Sequence, residues 1–206
     1  NLGLELNRLG REAESLAELQ AAVAANPNFP DARSALGFAL INARRMPEAI
    51  ESLNTALALE PNHAAALNNL GIAYMRLGDL PKAIDHLQQA IQIAPNLADA
   101  HHNLGRALAG SGRIDEALKE LQAAAALVPH DLGVLNDFAM LLAANGQRPQ
   151  AIELTQRILE NRPDYAAAFA CAAEAERLLD QSQHRLAEAI APGLPAGTSP
   201  VPATWS

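Results

Sequence analysis

Carboxamides recur along the chain at a constant interval. Asn69, Asn103 and Asp137 each lie 34 residues after the last, by subtraction of residue numbers, and Asn1 shares their phase, with Ala35 interrupting. A carboxamide donates and accepts at once, so a row of them can satisfy the backbone of an extended peptide without reading its side chains. Asn68 and Asn136 add to the row one position earlier. The same amides suit a second role equally well, bonding neighbouring helices or water. Metal and nucleophile chemistry find less support. His101 and His102 are adjacent, so on a helix they diverge by about 100° and cannot share an ion. No His-x-x-x-His pair or Glu-bearing zinc motif occurs among the 6 histidines. The lone cysteine, Cys171, sits in an alanine-rich stretch and reads as buried filler. Nothing resembles a nucleophile elbow or a phosphate-cradling glycine loop. The expectation is therefore no enzyme, no metal and no cofactor.

The elements that position these residues are set by a ladder of prolines. Pro27, Pro61, Pro95, Pro129 and Pro163 are again 34 apart by subtraction. Ending each unit two residues after its proline gives repeats 30–63, 64–97, 98–131 and 132–165, after a truncated unit 1–29. Position eight is small: Gly37, Gly71, Gly105 and Ala139. Position twenty is Ala49, Ala83, Ala117 or Ala151, and position twenty-four is Leu53, Leu87, Leu121 or Thr155. Small residues let two helix backbones approach, and the leucines fill the seam. Gly78, Gly112 and Gly146 stand where the first helix of each unit must stop, with Arg44 as the exception. Pro47, Pro81 and Pro149 follow three residues later, suited to a helix's first turn. The ladder proline then ends the second helix, and Asn28, Asn62, Asn96 or Asp164 after it can cap the next. Helix pairs are expected at 31–43 with 47–59, 65–77 with 81–93, 99–111 with 115–127, and 133–145 with 149–161, preceded by Ala13–Ala25.

These residues and this period resemble the tetratricopeptide repeat. The resemblance implies an all-α, right-handed superhelical solenoid of antiparallel helix pairs. It covers 1–191, as five repeats plus a degenerate capping pair at 166–191. It also implies a concave groove lined by the first helix of each pair, through positions two, five, nine, twelve and thirteen. On those positions Phe38, Ile41, Ile72, Met75 and Met140 form an apolar track, the kind of patch that marks a partner site. The alternative is that they pack between adjacent first helices. Asn68, His102 and Asn136 fall at position five, with Asn69 and Asn103 beside them. Arg76 and Arg106 offer charge for one acidic group of a ligand. The amide row is similar to the asparagine ladder in the repeats of O-GlcNAc transferases, although no glycosyltransferase domain accompanies it. The Lys-Asn-Arg carboxylate clamp of chaperone-binding members is missing its lysine, because position two carries Asp31, Ala65, Asp99 and Gly133.

Composition bounds the rest. Half the residues are apolar, aromatics make up 3%, and the formal charge is −8, which argues against a nucleic-acid binder needing a basic stripe and stacking rings. No apolar run approaches the roughly 20 residues of a membrane span, so a soluble protein is expected, cytoplasmic or periplasmic. The chain opens at position six of a repeat, read as a start inside a truncated unit in preference to a removed leader. The tail, 192–206, carries Pro192, Pro195, Pro200 and Pro202. It reads as extended chain docked through Trp205. The expected function is a protein-interaction scaffold gripping a peptide or protein segment in its groove. The other reading is a structural subunit of a larger or self-associating assembly, joined through its ends, convex face and tail.

Overall fold

The computed structural model describes residues 12–161 and Arg177. All the regular structure among the described residues is helical: α1 (Glu12–Ala25), α2 (Pro30–Asn42), α3 (Met46–Leu59), α4 (Ala64–Leu77), α5 (Leu80–Ile93), α6 (Ala98–Gly110), α7 (Ile114–Leu127), α8 (Leu132–Ala144) and α9 (Arg148–Asn161). From α2 onward each begins one residue before its expected start. The prolines explain the regularity, since Pro30, Pro47 and Pro81 occupy the first two helical positions of α2, α3 and α5. The chain divides into two compact units, Asn1–Leu141 and Leu142–Ser206. Residues 1–11, the capping pair expected at 166–191 apart from Arg177, Cys171 and the Trp205 tail lie outside the described residues.

Within the first unit, α2 packs on α3, α4 on α5 and α6 on α7, and each pair packs on the next. First helices also touch one another, α2 on α4 and α4 on α6. The seam of a pair is a glycine opposed to a leucine. A Cβ added at Gly71 would sit 2.5 Å from Leu87 Cγ, and one added at Gly37 would sit 2.5 Å from Leu53 Cγ. At Gly105 the same atom would meet Leu121 Cγ at 2.7 Å. Leu53 and Leu87 are fully buried. The leucine therefore lies over the bare backbone of its partner helix, and the apolar core runs along these seams.

Each first helix ends in one turn geometry. Gly78 and Gly112 have φ of 79°, and Gly146 has 80°. Arg44 reaches the same left-handed region at 59°. It makes the same pair of bonds: Arg44 N donates to Ile41 O and Arg45 N to Leu40 O, as Gly78 N does to Met75 O and Asp79 N to Tyr74 O. Helix starts differ from expectation at one residue. Phe29, His63 and Leu97 occupy the N-cap positions, not the asparagines before them. The ladder proline and its asparagine form the turn, which pushes the cap one residue onward. His63 performs the cap with its ring, Nδ1 accepting from Ala66 N at 3.3 Å.

Candidate functional site

A groove of about 1180 Å³ runs across the first unit. Its lining draws on α1, α2, α4 and α6 and includes Phe38, Asn68, Asn69, Ile72, His102 and Asn103. Six residues expected at the site are thus brought together. Phe29, Asp31, His63, Leu97, Asp99 and Glu18 join them. The repeat pattern puts Asp31 and Asp99 at an inward position, where a search for a clamp lysine passes over them.

The other expected residues sit elsewhere. Ile41 is fully buried in the core, packed with Leu36, Leu40 and Ala73. The neighbouring first helix covers its position, so Ile41 joins two repeats and does not face a ligand. Met75 is half-buried against the cluster of Ile84, Leu87 and Leu104. Arg76 spans to the preceding repeat, Nη1 donating to Ile41 O at 3.0 Å. Asn136 is buried, its Nδ2 donating to Met140 Sδ at 3.4 Å. Arg106 lies 3.5 Å from Asp137, and Met140 is 54% exposed but absent from the groove lining. The apolar track therefore reduces to Phe38 and Ile72.

The amide row makes a ladder between repeats. Asn69 Nδ2 donates to Ser34 O and Oγ, both at 3.4 Å. Asn103 Nδ2 donates to Asn68 Oδ1 at 3.0 Å. His102 Nε2 donates to Asp137 Oδ2 at 2.8 Å. Every rung joins position five of one repeat to position six of the next, 35 residues on. The 34-residue period hides this offset, because a cross-repeat bond spans one residue more than the repeat itself.

Removing a rung should have a measurable cost. Asn68 is only 7% exposed, so Asn103→Ala leaves a buried carbonyl oxygen without its donor. The expected loss is about 1–3 kcal/mol of stability in chemical denaturation. Asn69→Ala, which gives up only long bonds to Ser34, should cost well under half as much. Equal costs would show that the rungs do not differ in this way.

The third rung ends on a carboxylate. The His102 bond holds the Asp137 carboxyl below its usual range, with burial opposing and the charges of His102 and Arg106 adding. A depressed carboxylate stabilises the fold at pH above its unfolded value. That contribution is lost as pH falls through the folded value. The melting temperature of the wild type should therefore exceed that of Asp137→Asn near neutrality. The gap should close below about pH 4; a gap that persists at lower pH would exclude this linkage.

The adjacent histidine does different work. His101 Nδ1 faces Glu120 Oε2 at 2.6 Å and Nε2 faces Pro95 O at 3.0 Å. Both partners are acceptors, one on α7 and one in the turn before α6. His101 thus ties α6 to α7 and to the turn before it. No group of three His, Cys, Asp or Glu among the described residues is placed to hold a metal ion.

Tetratricopeptide-repeat family models match residues 29–96, 62–130 and 108–175. This chain belongs to the tetratricopeptide-repeat family. The repeats make it a protein–protein interaction scaffold. Solved structures agree on the fold. A thermophilic tetratricopeptide-repeat protein of Thermus thermophilus, TTC0263, is 26% identical with a TM-score of 0.74, covering 84% of this chain and 95% of that one. MamA 41-end from Desulfovibrio magneticus RS-1 is 23% identical with a TM-score of 0.65, covering 80% and 94%. YrrB, described as a tetratricopeptide-repeat protein with an unusual peptide-binding site, is 22% identical with a TM-score of 0.61, covering 82% and 88%. Comparison with curated proteins found no match. Among the described residues, no helix is long and apolar enough to cross a membrane.

Proposed function

We propose that this tetratricopeptide-repeat chain binds an extended segment of a partner protein in the groove between α1, α2, α4 and α6, without catalysing a reaction on it. The observation that carries the reading is the state of Asn69 and Asn103. Both line the groove, half-buried, and each amide nitrogen is anchored to the repeat before it. A carboxamide offers two donors and a carbonyl acceptor. Asn103 keeps a second N–H, and both amides keep Oδ1, without a partner among the described residues. Such a group is preoriented, and it pairs with one peptide unit at low entropic cost. Phe38 and Ile72 supply apolar surface beside the two amides. A peptide-binding site is also what the description of YrrB assigns to that protein. The test is affinity capture on the wild-type chain and on Phe38→Asp, with melting of both followed in parallel. Capture that survives the substitution unchanged would remove the groove from the mechanism.

A further inference from the structure

We propose that the groove selects a cationic segment: an extended peptide bearing lysine or arginine beside apolar residues, with the cation paired to Asp31 or Asp99. This rests on the groove reading above and gives that site its partner chemistry.

The full charges on the lining are all negative. Glu18, Asp31 and Asp99 are there, and among the described residues no Lys or Arg is. The basic groups of the same first helices are committed elsewhere. Arg33 Nε donates to Pro27 O at 2.6 Å, Arg76 donates to Ile41 O, and Arg106 pairs with Asp137. The two groove histidines are likewise taken, His102 by Asp137 and His63 by Asp31.

Asp31 and Asp99 occupy the same position two repeats apart, yet their surroundings differ. Asp31 Oδ1 accepts from His63 Nε2 at 3.1 Å, while its side chain remains 74% exposed and Oδ2 has no partner among the described residues. The residue corresponding to His63 for Asp99 is Asp131, a second carboxylate, which caps α8 by accepting from Val134 N at 3.0 Å. Asp99 therefore gains no hydrogen-bond donor from the place where Asp31 gains its histidine. Among the described residues the acids are not gathered for a metal ion, and a cationic ligand supplies the charge that complements them. Phe38, Ile72 and the amides suit a peptide better than a small free cation. Complementary charge of this kind sets selectivity and association rate more than total affinity.

The test pans a phage-displayed library of random dodecapeptides over the wild-type chain, Phe38→Asp, and the double variant Asp31→Asn/Asp99→Asn. Asparagine keeps an acceptor for His63 and removes only charge. Recovered peptides are synthesised and measured by fluorescence anisotropy at low and high salt. The expected pool is enriched in Lys and Arg next to apolar residues. Its affinity should fall about two- to fivefold for each carboxylate removed, the scale of solvent-exposed ion pairs, and should fall with salt on the wild type more than on the double variant. A pool that depends on Phe38 yet shows no basic bias, or binds the double variant equally well, overturns the charge inference and leaves the groove reading standing. A library that yields no enrichment, or peptides indifferent to Phe38→Asp, overturns both.

Discussion

Valine in place of Gly71 is expected to remove about 3 kcal/mol of stability, at the upper end of what overpacking a core costs. The added Cβ alone would lie 2.5 Å from Leu87 Cγ and 2.8 Å from Leu87 Cδ2. Leu87 is fully buried, so it has no solvent-facing rotamer to retreat into. The helix-propensity gain over glycine, about half a kcal/mol, is too small to compensate. On a chain of this length the melting midpoint should fall by about 6–12 °C. Because each pair leans on its neighbours, hydrogen exchange should accelerate first in α4 and α5 and then in the flanking pairs. A double-mutant cycle isolates the cause. Leu87→Ala alone should cost about 2–5 kcal/mol, but in the Gly71→Val background much less, because the valine then occupies the vacated space. Strict additivity would mean that the close approach at Gly71 is not what limits residue size there.

Phe38→Asp should weaken partner binding by more than about thirtyfold, the loss typical of an aromatic hot spot replaced by a charge. Phe38 is half-buried in the groove, on α2, with Ile72 on the next first helix also in the lining. An aspartate there removes the large apolar ring and puts a solvated charge where the partner's apolar residues would pack. Met140→Asp provides the control. Its side chain is the more exposed of the two, and it is apolar, but it is absent from the groove lining. A partner that reads the groove should tolerate Met140→Asp and lose its affinity for Phe38→Asp. If both substitutions act alike, binding depends on general surface hydrophobicity and not on this cleft.

How far the sequence reaches follows from which interactions are local. Pro47 and Pro81 restrict their own backbone, and Gly78 and Gly112 admit the left-handed turn by themselves, so helix limits can be placed to within a residue. The opposition of Gly71 to Leu87 is half legible: small and large residues recur at fixed phase, but only the structure shows the leucine lying on the glycine itself. Ile41 is misplaced by sequence reasoning because its fate depends on the next repeat. Position twelve is inward on one helix pair and becomes core once α4 is laid against α2. The asparagines at 69 and 103 stand out in the sequence, yet their first partners lie at 34 and 68. A comparison of equivalent positions cannot show that, because the bond joins non-equivalent ones. Asp31 and Asp99 are visible as acids, while their meaning depends on where Arg33, Arg76 and Arg106 are spent, a matter of side-chain geometry.

The ladder between positions five and six has a consequence for how such a chain can change length. Where position six is polar, as at Asn69, Asn103 and Asp137, it can meet position five of another unit. Excising residues 64–97 would bring Asn103 opposite Ser34, an amide against a hydroxyl and a carbonyl, as Asn69 is now. Excising 98–131 would set Asp137 against Asn68, carboxylate against amide. The glycine–leucine contacts lie wholly inside a unit and travel with it. Loss of either of these modules therefore leaves the rung atoms at the new junction with a partner, which lets recombination shorten the array and resize its binding surface without redesigning those joints.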